Sequence, residues 1–159
     1  MKLDAAKLRM AKLSEGGGAR VTVYRSLLTK FMKEDSQKGK LRKFFLEIRN
    51  DMPGINLVYL FGSQVEGNTG PMSDFDHGVF LERNQDGPQI RFRLSIELAQ
   101  IIRDERMDVV LLNRVPIELA YAVIADGEIL YQKDDATRVD YEARVMGLYF
   151  DYLKEKIEK

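Results

Sequence analysis

The chain has 159 residues, 45% hydrophobic and 31% charged, which is the composition of one globular domain with at most a short appendage. Lys and Arg number 25, as do Asp and Glu, and a zero net charge argues against a dedicated nucleic-acid binder or a polybasic membrane protein. Without cysteine there are no disulfides, thiolate metal sites or Cys nucleophiles, and the single histidine, His77, argues against a His-rich metal site or a Ser-His-Asp triad.

The neutrality is a cancellation along the chain. Residues 1–50 carry 13 basic and 5 acidic side chains, and residues 51–159 carry 12 and 20. Solvated helix faces account for such a split, and a basic arm for an acidic partner is the alternative. No apolar run approaches the ~20 residues of a membrane helix, and the start at Met1 has no apolar signal core, so a cytoplasmic protein is expected.

Leu3, Ala6, Met10 and Leu13 recur at helical spacing and predict a first helix over 3–14, broken by Gly16-Gly17-Gly18. A second helix is predicted over 21–34, and a third over 38–49 with Leu41, Phe44, Phe45 and Ile48 as its stripe. Pro53-Gly54 stops it. The apolar run Ile55 to Phe61 predicts a buried strand, and a second strand is predicted from Asp74 to about Leu81. Pro88 opens a helix reaching about Arg103, and Met107 to Leu112 is a third strand. Pro116 and Gly127 bracket another helix, Ile129 to Tyr131 form a short strand, and Asp134 or Asp135 caps a last helix over 136–158. Strands alternating with helices predict an α/β or α+β domain.

The chemistry-bearing stretch runs from Gly62 to Asp76. Residues i and i+2 of a strand share a face, so Asp74 and Asp76 stand side by side. Two adjacent carboxylates repel, and a hard divalent cation such as Mg²⁺ would offset that; the plainer reading is a pair of solvated strand acids. Gly62-Ser63, directly after an apolar strand, is suited to a tight turn whose hydroxyl and backbone N–H groups cradle a phosphate, although Gly-Ser is also a common turn. The G-x-x-x-x-G-K-[ST] pattern is absent. Asp108 opens the third strand ahead of four apolar residues, and would join Asp74 and Asp76 if that strand pairs beside the second; otherwise it is a strand-end acid in solvent. His77 falls on the opposite face and is expected to be packed and structural. Glu66 and Arg83, near the site in sequence, are read as solvated charges.

Gly62-Ser63, ten residues, Asp74-x-Asp76 and a later strand-borne Asp108 resemble the DNA polymerase β-like nucleotidyltransferase superfamily. The short chain is similar to its minimal nucleotidyltransferase (MNT) branch, whose members pair with HEPN-domain proteins. The resemblance covers roughly residues 38–158 and implies a small mixed sheet flanked by helices. It implies a nucleotidyltransferase domain over 38–159, with residues 1–37 as a basic helical extension. It also implies Mg²⁺ held by Asp74, Asp76 and Asp108, ATP phosphates positioned by Gly62 and Ser63, and Asp108 assisting deprotonation of an acceptor hydroxyl. The implied reaction transfers AMP from a nucleoside triphosphate to a hydroxyl, a tyrosine of a HEPN-type toxin, with the chain acting as antitoxin. Two other readings stay open: a non-catalytic antitoxin acting by occlusion, and transfer to a small molecule such as an aminoglycoside. No membrane contact is expected, and nucleic acid contact through the basic segment is disfavoured.

The last helix carries two apolar stripes, Val139, Ala143, Met146, Phe150, Leu153 and Ile157, and Tyr141, Val145, Leu148 and Tyr152. Two stripes imply burial on two sides. The second stripe would fit an interface, with a further copy or with a different protein; the alternative is that both stripes pack within the domain.

Overall fold

The structure is a computed structural model of the chain and describes residues 36–62, 75–103 and 107–159. The first two predicted helices, Ser63 and Asp74 lie outside the described residues. By Cα proximity the chain divides between Lys40 and Leu41, and the sheet belongs wholly to the second unit.

Helix α1 (Gln37–Ile48) precedes β1 (Ile55–Phe61) and β2 (Phe75–Leu81); α2 (Gly87–Ile102) leads to β3 (Met107–Leu111), and α3 (Ile117–Asp126), β4 (Glu128–Gln132) and α4 (Asp135–Ile157) follow. The sheet order is β3-β2-β1-β4. Strand β1 pairs antiparallel with both β2 and β4, and β2 pairs parallel with β3. A parallel pair needs a crossover, and α2 supplies it. The expected small mixed sheet flanked by helices is therefore present.

The central position of β1 explains its sequence. It is covered on both faces, so from Leu57 to Phe61 it reads as a continuous apolar run rather than an alternating one. Val58 and Leu60 join Leu41 and Phe45 of α1 and Leu94 and Leu98 of α2 in one core cluster. Leu57 and Tyr59 point the other way, to Ala120 and Val123 of α3 and Tyr141 and Val145 of α4. Arg42 and Glu128 add an ion pair between α1 and β4.

Element ends follow local rules. Asp86 caps α2 by accepting from the Gln89 N–H at 3.1 Å, with Pro88 in the first turn, and Arg103 ends the helix in the left-handed conformation. Of the two candidate caps for α4, Asp134 is the one used: its carboxylate accepts from the Thr137 N–H at 2.7 Å and is held below the usual carboxylate range by that bond.

One expectation is corrected. The stripe assigned to an interface, Tyr141, Val145, Leu148 and Tyr152, contributes two buried core residues, Tyr141 and Val145. The exposed stripe is the other one, in which Val139, Met146, Phe150 and Ile157 stand in solvent. Helical periodicity finds both stripes but does not say which of them meets the sheet.

Candidate active site

The pairing pattern gathers the candidate residues at one end of the sheet. Because β1 and β2 are antiparallel, the last residue of β1, Phe61, lies opposite Asp76 near the start of β2. Because β2 and β3 are parallel, Asp76 is in register with Asp108. In-register residues on neighbouring parallel strands project to the same face, about 4.8 Å apart along the hydrogen-bonding direction. The two acids thus stand side by side, as the sequence reading required of Asp108.

Gly62 follows directly and has φ +83°, a conformation that disfavours any side chain with a Cβ. A Cβ built there would lie 2.6 Å from Oδ2 of Asp76. The missing side chain is what allows the start of the turn to lie against the carboxylate. Backbone and acid therefore approach each other where a phosphate-cradling turn would begin.

Asp108 is half-exposed and oriented by two contacts. Its Oδ1 accepts from the Val109 N–H at 2.8 Å and from Nη2 of Arg91 at 3.2 Å. Arg91, from α2, escaped the sequence reading because nothing in the local pattern around residue 91 links it to a strand 17 residues later. Its helical position on α2 beside the β3 crossover was the only available signal.

His77 is fully buried, on the face shared with Val79 and away from Asp76, as expected of a structural histidine. Arg83 is removed from the site: it lies beyond the far end of β2, roughly 20 Å along at ~3.3 Å per residue. There it lines a concavity of about 660 Å³ with Asn56, Phe80, Tyr141 and Arg144. Glu66 lies outside the described residues.

A metal can be weighed against these groups. Among the described residues no cluster of three or more His, Cys, Asp or Glu side chains is present, and the third candidate acid, Asp74, is outside them. Asp76 and Asp108 in register, with a Cβ-free backbone against Asp76, form an all-oxygen donor set that fits a hard divalent cation. Among the described residues no helix is long and apolar enough to cross a membrane.

The "Polymerase beta, Nucleotidyltransferase" family matches residues 45–136, which span α1 to the start of α4 and include all five candidate residues. A protein adenylyltransferase MntA from Aphanizomenon flos-aquae (strain 2012/KM1/D3) is 28% identical over 116 residues, covering 68% of this chain and 77% of its own. Among solved structures, a toxin-antitoxin chain crystallised with AMP-PNP is 24% identical with a TM-score of 0.61, covering 74% of this chain and 93% of that one. A chain from the tri-AMPylated Shewanella oneidensis HEPN toxin in complex with MNT antitoxin is 22% identical with a TM-score of 0.60, covering 77% and 94%. These solved chains share the fold. With the family match spanning more than half of its length, the chain belongs to the polymerase beta nucleotidyltransferase family.

Proposed function

We propose that this nucleotidyltransferase moves AMP from ATP to a tyrosine hydroxyl of a HEPN-type toxin and thereby acts as its antitoxin. The observation that carries this is the meeting of Gly62, Asp76 and Asp108 at one end of the sheet in a chain of this family. The acceptor class is supported by the relative named protein adenylyltransferase and by the AMPylated HEPN toxin in a neighbouring structure. In this reading residues 38–159 are the nucleotidyltransferase domain and residues 1–37 a basic extension.

Each residue has a task. The Gly62 turn and the Ser63 hydroxyl hold the β- and γ-phosphates through N–H and O–H donors. Asp74, Asp76 and Asp108 would hold Mg²⁺, which supplies charge neutralisation on the phosphates and polarisation of the α-phosphate. Asp108 accepts the proton of the acceptor hydroxyl as its oxygen forms a bond to the α-phosphorus. The bond from that phosphorus to the β-phosphate oxygen breaks, and pyrophosphate leaves in line. Arg91 is a positioning residue that fixes the Asp108 carboxylate.

Incubation of the chain with α-labelled ATP, Mg²⁺ and its HEPN-type partner is expected to label the partner on tyrosine. An Asp74→Asn/Asp76→Asn double substitution should lower labelling by at least ~100-fold, since groups acting on the transferred phosphate account for several powers of ten. Equal labelling by both proteins would sink the mechanism. Neutralisation of the toxin that survives the double substitution would point to occlusion instead.

A further inference from the structure

Helix α4 presents an apolar face that the described residues leave largely exposed, with Phe150 meeting the Tyr121 ring of α3 at 6.4 Å. Tyr141 and Val145 seat it on the sheet. Val139, Ala143, Met146, Phe150, Leu153 and Ile157 recur in strict alternation of four and three residues on another side. That is the heptad spacing of a coiled-coil seam, held over the length of the helix. All but Leu153 are exposed, with Val139 at 56%, Phe150 at 52% and Ile157 at 83%. Single exposed apolar side chains are ordinary, but a continuous seam of them marks an interaction surface.

We infer that this seam pairs with α4 of a second copy of the chain, with the two helices antiparallel. The seam is complementary to itself in that direction. About a two-fold axis at Leu148, Val139 meets the partner's Ile157, Ala143 meets the partner's Leu153, and Met146 meets the partner's Phe150. Small faces large, and sulfur faces an aromatic ring. The same axis sets Asp140 opposite the partner's Lys154 on the flank of the seam, an attraction repeated twice by symmetry. A parallel pair would instead set Asp140 beside the partner's Asp135, a repulsion repeated twice by symmetry.

Gly147 supplies an independent observation. A glycine in the middle of a 23-residue helix is destabilising relative to alanine. Packing within the domain does not explain it, since a Cβ there would meet nothing within 4 Å. It lies one residue from the proposed axis, where two helix backbones would come closest. The inference is independent of the proposed transfer reaction.

Sedimentation equilibrium of the full chain alone tests it, with circular dichroism as the folding control. The wild type is expected to be dimeric at micromolar concentration. Phe150→Glu should raise the dimer dissociation constant at least ~10-fold without changing the spectrum, as for a central apolar contact. Asp140→Lys and Lys154→Asp should each weaken the dimer several-fold, and the combined reversal should restore it. In this cysteine-free chain, Gly147→Cys should cross-link to its own copy through a short bis-maleimide, and Glu158→Cys at the helix end should not. A wild type that stays monomeric, including one whose stripe is covered only by a different protein, overturns the inference. So does a combined reversal that fails to restore the dimer.

Discussion

Gly62 shows how a single absent atom shapes this site. Gly62→Ala places a Cβ in a positive-φ conformation and 2.6 Å from the Asp76 carboxylate. The backbone term alone costs about 1–2 kcal/mol. Relief requires the turn or Asp76 to move, so transfer activity should fall much more than stability, which initial rates compared with a urea melt will measure. Two tyrosines carry a different prediction. Burial, then the hydrogen bond from its hydroxyl to Glu142, holds Tyr59 well above the usual phenol range, and burial pushes Tyr141 up to about 12. A phenol with a raised folded-state pKa contributes stability that is complete below about pH 10. That stability is lost as pH rises toward 12; for Tyr141 the loss is on the order of 2–3 kcal/mol. Among the described residues the Tyr141 hydroxyl has no hydrogen-bond partner. Tyr141→Phe should therefore be neutral or stabilising at pH 7 and flatten the alkaline fall in denaturant midpoint. The identities of Gly62, Asp76 and Asp108 were legible as a spaced motif. The 2.6 Å approach and the Arg91 contact were not, because both arise between segments distant in sequence.

At the scale of the element, strand and helix identities follow from patterns that local chemistry enforces. The continuous run of β1 reflects burial on both faces, and Pro88, Gly127 and Asp134 mark helix ends for stereochemical reasons that hold before folding. Asp134→Ala removes the acceptor for the Thr137 N–H and should lower the melting temperature at neutral pH. The Asp134 pKa is lowered by that bond, so the advantage is present above the ordinary carboxylate range and is lost as pH falls through the folded value. Melting curves of the two proteins should therefore converge in acid. Orientation of α4 is where local reading failed. Two stripes of similar hydrophobicity lie on one helix, and their assignment depends on the sheet surface that Tyr59 and Phe80 present to Tyr141.

At the scale of the molecule, both core clusters draw their buried residues, among the described residues, from Leu41 to Val145. A chain of residues 38–159 is therefore expected to melt cooperatively and to keep transfer activity; loss of the transition in calorimetry would show that the basic segment is part of the fold. Net neutrality conceals an acidic part over residues 51–159, in which Asp76 and Asp108 stand level on neighbouring strands. By itself the sequence determined the order and type of the elements from residue 38 onward and marked a candidate set of residues for a nucleotide, because periodicity, caps and motif spacing are local properties. Only the tertiary structure decided that β3 pairs parallel beside β2, which places Asp108 level with Asp76, and that α4 turns Val145 inward and Phe150 outward. Both depend on which surfaces meet, and that is set by burial summed over the whole sheet rather than by any one segment.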